Sequence, residues 1–396
     1  MTQLRDVVLV SAKRTSIGSF QGVLSTVPAT KLGATVIKSI MDETKLDSTL
    51  VDEVIMGNVL AAGSGQAPAR QAALYAGLPN SVECLTINKM CGSGLKSVML
   101  AVQAIQVGDA DVIIAGGMEN MSLAPYLLPK ARTGYRMGHG QIFDSMIYDG
   151  LWDVYDDKHM GNCAELCARK YEYTREAQDA FAIESYRRAQ AAQNTSEFTN
   201  EIIPVEIPQR KGDPIIVSQD EEPGRARFDK IPNLRPAFEK DGTITAANAS
   251  KINDGASAVL VMAKEKVEEL GLTPIAKVVS QASAAHEPDW FTTAPVKAIQ
   301  KALNKAGKTA EEIDIWEINE AFAPVTMAAI DEYNLDINKV NVHGGAIALG
   351  HPIGASGARV LTTLLHAMDA KNAKIGLATL CIGGGEASAL IVEKWR

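Results

Sequence analysis

An α/β fold assembled from two copies of one strand–helix–strand unit is expected from three features of this 396-residue sequence. Short β-branched runs alternate with longer alanine-rich segments, the pattern of sheets covered by helices. Val7–Val10, Val54–Gly57, Leu85–Ile87 and Val112–Ala115 read as strands in the first third. Ala276–Val279, Ile313–Ile318, Val340–Val342 and Ile375–Thr379 read as strands in the last third. The two sets share one spacing. Ser93-Gly94 opens a helix and Ala110 begins a strand sixteen residues after Gly94, while Ser356-Gly357 opens another and Ala373 begins a strand sixteen residues after Gly357. Upstream, Val54–Asn58 aligns with Ile315–Asn319.

The middle of the chain differs. Thr174–Asn200 lacks Gly and Pro, is rich in Ala, Glu, Gln and Arg, and reads mostly as helix. Six of the sixteen prolines then fall between Pro204 and Pro236, which excludes long regular structure there. Residues 122–250 are therefore expected to form an inserted loop domain. The first core half is expected at 1–121, completed by 251–273, and the second at 274–396.

At 46% apolar and 22% charged, the composition is that of a soluble globular chain of two or three domains. A chain of this length buries roughly 75% of its unfolded surface, so it needs no disulfide or metal staples. Five irregularly spaced cysteines do not make a secreted disulfide framework. Thirty-nine basic and forty-seven acidic residues give −8 with no basic tract, which argues against a nucleic-acid or anionic-membrane partner. Met1–Arg14 lacks the pattern of a signal peptide, and no uncharged stretch is long enough to span a bilayer. The expected compartment is the cytoplasm, with reduced thiols.

Candidate chemistry sits in the turns between strands and helices. Cys91 lies in Leu85–Ser97, a strand, a tight small-residue turn and a helix with Leu95, Val98, Met99 and Val102 at helical spacing. A thiol at a helix start faces the positive end of the dipole, where its pKa is expected to fall. The adjacent glycines let backbone N–H groups approach an oxyanion. His351 stands in the glycine-studded loop Gly344–Gly357, away from charged neighbours, as a base or acid should. Asn319 ends the strand of Glu317–Phe322, and Cys381 begins Cys381-Ile382-Gly383-Gly384-Gly385 directly after another strand. Three consecutive glycines suit the close approach of a ligand or another backbone. His159, Cys163 and Cys167 fall at i, i+4 and i+8, but the outer pair is about 12 Å apart on a helix, too far for one zinc ion, so no metal site is expected. Cys84, in a strand, reads as core.

The segments around Cys91, Asn319, His351 and Cys381 together resemble the signature blocks of the thiolase family, in the same order and over essentially the whole chain. That resemblance implies a thiolase fold, a duplicated α-β-α-β-α layered core with an inserted loop domain that binds coenzyme A, and a homotetramer built as a dimer of dimers. It implies reversible condensation of two acetyl-CoA to acetoacetyl-CoA plus coenzyme A, through an acetyl group on Cys91. By the same resemblance His351 moves the thiol proton and Cys381 handles the α-proton. The His351 imidazole and a water on Asn319 stabilise the enolate, and the N–H groups of Cys91 and Gly383 form a second oxyanion hole. Leu151, His159, Met160, Phe238, Ala246 and Ser250 match positions that line the pantetheine channel, and Ala321 and Phe322 come to the substrate with the Asn319 motif. Where the bacterial biosynthetic pattern has an arginine against the adenine this chain has Pro223, with Arg225 and Arg227 nearby; Arg225 is the expected contact. Thr245–Ser250 and Trp290–Pro295 are closer to mitochondrial-type thiolases, some of which bind potassium near this loop, so a potassium ion stays open. No tightly bound cofactor is implied. The nearest rival, a ketosynthase-like condensing enzyme, has no second thiol where Cys381 stands; a hydrolase would release free acetate, and a non-catalytic binder would not need all four groups.

Overall fold

The computed structural model describes residues 4–395. Its core is an 11-stranded sheet, and nine strands on its main path carry the fold. These are β1 (Val7–Thr15), β2 (Glu53–Gly57), β3 (Glu83–Ile87), β4 (Val112–Asn120), β5 (Asn253–Ala263), β6 (Ala276–Ala285), β7 (Ile315–Ile318), β8 (Ile375–Ile382) and β9 (Glu386–Lys394). They lie in the order β7-β8-β9-β6-β1-β5-β4-β2-β3. β1 and β6 pair only through Val8 with Lys277 and Leu9 with Ala276. The assembly is thus two sheets joined at one short antiparallel seam.

The halves share a plan. β2 runs parallel to β4, as β7 does to β8. β5 is antiparallel to both β4 and β1, as β9 is to both β8 and β6. The duplication inferred from spacing is present in the topology, with one difference. Val340–Val342 does not form the edge strand expected opposite β3; only Val340 bridges Trp316. Asn341 explains why. Its backbone is left-handed at φ 46°, and its side chain accepts from the Ile318 N–H at 2.8 Å and donates to the Ile318 carbonyl at 2.9 Å. A side-chain amide has taken the ladder bonds a strand would have made.

The principal helices are α1 (Ala29–Thr44), α2 (Pro68–Tyr75), α3 (Ser93–Val107), α4 (Met160–Lys170), α5 (Arg175–Asn194), α6 (Ala294–Ala306), α7 (Ala323–Tyr333) and α8 (Ile353–Ala370). α3 and α8 fill the layer between the sheets: Leu95, Val98 and Val102 meet Leu361, Leu364 and Met368 there. On β1, Val7 and Leu9 point into this layer while Val8 and Val10 point outward to Leu32, Val36 and Ile40 of α1, the two-residue alternation of a strand covered on both faces. Ile299 and Leu303 of α6 cover the far side of the second sheet with Trp316 and Leu377. The paired Ser-Gly steps have a structural reason: α3 and α8 touch backbone to backbone, and a Cβ on Gly94 would stand 2.6 Å from the Ala358 nitrogen.

α5 begins where the sequence placed it, with Thr174 Oγ1 accepting from the Ala177 N–H at 3.2 Å. It stops at Asn194, short of Asn200, because Ser196 turns left-handed at φ 63°. The proline-rich stretch holds only three-residue strands and short 3-10 turns. Cys84 lies on the edge strand β3 and is half-buried. Among the described residues no helix is long and apolar enough to cross a membrane.

Candidate active site

Cys91 is held in the turn between β3 and α3. Asn88 Oδ1 accepts from the Met90 N–H at 3.0 Å, and Ser93 Oγ accepts from the Lys89 N–H at 2.8 Å and donates to the Met90 carbonyl at 2.6 Å. These bonds hold Met90 at φ 47°, a sparsely populated conformation for a residue with a side chain. Two backbone N–H groups, its own and that of Gly383, favour the thiolate form of Cys91. Burial nevertheless pushes the thiol up to about 11, against the lowering by those two donors. The lowered pKa expected at a helix start is therefore corrected: lost hydration outweighs the dipole.

Cys381 ends β8 in an apolar pocket with Met160, Ala321, Phe322, Val325 and Phe291. Burial holds its thiol well above the ordinary range, and the charge of Cys91 raises it further. The two thiols are thus electrostatically coupled. Gly383 follows Cys381 by two residues, with Met90 Cε 3.8 Å and Met160 Cε 3.9 Å from the position a Cβ would take.

His351 follows Gly350, whose φ of 112° only glycine adopts readily. The His351 N–H donates to Asn253 Oδ1 at 2.9 Å. Its Nδ1 lies 2.6 Å from Ser356 Oγ, and Ser356 Oγ gives its one proton to the Pro352 carbonyl at 2.9 Å. The hydroxyl must then accept, so Nδ1 carries the hydrogen and Nε2 is bare. Nε2 is buried with no protein partner. Burial and the nearby Arg359 lower the imidazole to about 3, so it is neutral at pH 7. Ile353, two residues on, packs with Cys91, Met90 and Leu151.

Asn319 leaves β7 with its N–H on the Thr379 carbonyl at 3.0 Å. Arg359 Nη2 lies 3.5 Å from Asn319 Oδ1, and a guanidinium only donates. The amide nitrogen therefore faces away, and it too is buried without a partner. Arg359 Nη1 lies 3.6 Å from Glu317 Oε2, a carboxyl that burial raises to about 8 against the pull of the guanidinium.

The channel residues converge less uniformly. The Phe238 ring lies 4.7 Å from that of His159, tilted by 31°, and meets Phe322 edge-on at 6.0 Å. His159 Nδ1 accepts from the Gly161 N–H at 3.1 Å and so caps α4. Ser250 donates its N–H to the Ala321 carbonyl at 2.9 Å. Ala246 is exposed and Ser250 half-buried. Arg225 stands outside this group, exposed and paired with Glu221 at 3.2 Å.

Four residues went unassigned in the sequence: Ser356, Asn253, Arg359 and Glu119. Buried Glu119 accepts from Asn58 Nδ2 at 2.7 Å and from the N–H groups of Val59, Leu60 and Gly354 at 3.0, 3.1 and 2.9 Å. Desolvation raises it to about 7 against those four bonds. It ties β4 to the first turn of α8, just after His351. A lone acid closing the apolar run Val112–Met118 was the available signal.

Family models agree with this geometry. Residues 7–265 match the thiolase N-terminal domain and residues 272–394 the thiolase C-terminal domain. The chain belongs to the thiolase family. Among related thiolases, an acetyl-CoA acetyltransferase of Pseudomonas aeruginosa is 55% identical over 392 residues, 99% of this chain and 100% of the relative. Acetyl-CoA acetyltransferase 1 of Arabidopsis thaliana is 52% identical, covering 99% of this chain and 95% of the relative. The crystal structure of an Ascaris suum thiolase in complex with coenzyme A superposes with a TM-score of 0.94 at 46% identity, over 99% of this chain and 100% of that one. That of the Bacillus anthracis acetyl-CoA acetyltransferase gives 0.97 at 38% identity, over the whole of both chains.

Proposed function

We propose that this thiolase is an acetyl-CoA C-acetyltransferase that interconverts two acetyl-CoA with acetoacetyl-CoA plus coenzyme A. The observation that carries the reading is the pair of buried nitrogens without a protein partner, His351 Nε2 and Asn319 Nδ2, whose chain neighbours Ile353 and Ala321 pack with the free thiols of Cys91 and Cys381. Buried polar atoms left so call for a partner, and at these two positions, which belong to the thiolase signature segments with Cys91 and Cys381, we read that partner as substrate.

In thiolysis, His351 Nε2 takes the Cys91 proton as the sulfur attacks the 3-keto carbon of acetoacetyl-CoA. The N–H groups of Cys91 and Gly383 receive the oxyanion. The carbon–carbon bond breaks and leaves the enolate of acetyl-CoA. The imidazolium N–H and a water on Asn319 stabilise that enolate, and the Cys381 thiol protonates its carbon. Acetyl-CoA leaves, and the His351 proton passes to the Cys381 thiolate. Coenzyme A then gives its thiol proton to His351 and attacks the acetyl group, and Cys91 leaves and is reprotonated. Protons balance over the cycle, and condensation is the same path reversed. A Cys381 thiol held above its ordinary pKa is protonated at pH 7, the form thiolysis needs, and its thiolate is correspondingly basic toward a weakly acidic carbon.

Coenzyme A enters and leaves as substrate and product, and no tightly bound cofactor is used. We read 122–250 as the unit that holds its pantetheine arm, with Leu151, His159, Met160, Phe238, Ala246 and Ser250 along the channel and Arg225 toward the adenine. A homotetramer is proposed, supported by the exposed apolar side chains of Leu123, Tyr126, Leu128, Tyr135, Met137 and Ile142 in one segment of the chain. A cytoplasmic site is proposed on the five free thiols. The test is product analysis. Acetoacetyl-CoA plus coenzyme A should give acetyl-CoA alone, and labelled coenzyme A should exchange into acetyl-CoA as ping-pong transfer requires. Free acetate, or no exchange, overturns the reading.

A further inference from the structure

Lys251 takes no part in the reaction above, yet it touches two segments that build the site. Its ammonium donates to the Ala249 carbonyl at 2.9 Å and to the Ile347 carbonyl at 3.3 Å. The Tyr186 ring lies 5.5 Å away, and Glu222 and Glu320 are the carboxylates whose charge reaches it. An ammonium has three donors and no acceptor, so it sits among these carbonyls much as a bare monovalent cation does when carbonyl oxygens replace its hydration shell. The Ile347 peptide is held from both sides: Glu320 Oε2 accepts its N–H at 3.2 Å while Lys251 takes its oxygen. Glu320 directly follows Asn319, and Ile347 lies in the short helix Ala346–Leu349 that leads into Gly350 and His351. On the other side, Ala249 bridges Phe322 and is flanked by Ser250 of the channel. The loss of hydration pulls the amine down to about 8, which leaves it mostly protonated at pH 7.

We propose that the Lys251 ammonium is a built-in monovalent cation that ties the 246–250 segment to the His351 loop, so that channel and base keep their register without a potassium ion. A potassium ion was left open by the sequence. The residues present do not fit one at these carbonyls, because the ion would have to stand where the ammonium stands. Lys251 is a positioning residue, acting on His351 through the Ile347 peptide and on the channel through Ala249. The inference rests on the reading of His351 as the base, and a thermal readout separates the two.

The experiment is acetoacetyl-CoA thiolysis by the full chain at fixed ionic strength in choline, sodium, potassium or ammonium salt, with melting curves in each. Wild type should vary by less than about twofold across the four salts. Lys251→Ala should lose about tenfold or more in kcat/KM in choline, with KM for coenzyme A raised, and regain about fivefold or more in potassium or ammonium. The same two salts should raise the Tm of Lys251→Ala and not that of wild type. Lys251→Met, which fills the space without charge, should be impaired and unrescued. Potassium activation of wild type, full activity of Lys251→Ala in choline, or a loss that no cation relieves in rate or Tm would each overturn the proposal. A Lys251→Ala chain that folds only in potassium or ammonium supports it; one that folds in none of the salts counts against it. If wild type lacks thiolysis altogether, the catalytic reading fails while the Tm comparison still decides the cation.

Discussion

Replacing Ser356 with alanine isolates the tautomer of His351. The hydroxyl accepts from Nδ1 at 2.6 Å and is fixed as an acceptor by its own bond to the Pro352 carbonyl at 2.9 Å. Removing it leaves a buried Nδ1–H unpaired, worth about 1–3 kcal/mol. Charged against the reactive tautomer, that range slows Cys91 acylation by about 5- to 150-fold, since about 1.4 kcal/mol is tenfold. Single-turnover loss of acetoacetyl-CoA followed by stopped flow reads this step. KM for coenzyme A should change little, because Ser356 bonds His351 and Pro352 rather than a channel residue. Ser356→Thr, which keeps the hydroxyl, should recover most of the rate. A Ser356→Ala acylation rate within about twofold of wild type refutes the claim that this bond sets the base.

Two further predictions follow from burial. With the Cys91 thiol raised to about 11 and His351 lowered to about 3, both are neutral at pH 7. Carbamidomethylation of Cys91 should rise about tenfold per pH unit from 7 to 10, and kcat/KM should show no acid limb near 6.5. A plateau in alkylation near pH 8.5 would mean that the helix start outweighs desolvation. Gly94→Ala drives a Cβ to 2.6 Å from the Ala358 nitrogen, and overpacking of this kind costs about 1–3 kcal/mol. Its urea midpoint should fall accordingly, and an unchanged midpoint would show that α3 and α8 can separate freely.

The parts of the fold that were legible in the sequence are those in which local pattern and tertiary environment agree. α3 was readable because Leu95, Val98, Met99 and Val102 repeat at helical spacing and are all buried. β5 was not, because its first half, Asn253 to Ser257, is made of small and polar residues that give no alternation, and the apolar run Ala258–Ala263 is by itself as compatible with a buried helix as with a buried strand. Val340–Val342 had the right composition for a strand but met Asn341, whose amide could reach Ile318 only once the chain had folded. At the site, Cys91, His351 and Cys381 stood out because glycines surround them, whereas Asn319 ends a strand with no glycine nearby and stood out only together with the other three. Ser356 and Arg359 did not, because their meaning lies in the atoms they face: a hydroxyl that must accept, a guanidinium that must donate. The sign of the Cys91 shift was likewise hidden, since the dipole is written in the local sequence and burial is not.

The account stands on a division of labour between two sulfurs, one holding the acyl group and the other the proton. Cys381→Ala incubated with acetyl-CoA, then mapped by intact mass and peptide sequencing, tests it most directly. The acetyl group should appear on Cys91 at near wild-type yield while acetoacetyl-CoA formation falls to background. Condensation at an undiminished rate, or an acetyl group found anywhere but Cys91, would contradict it.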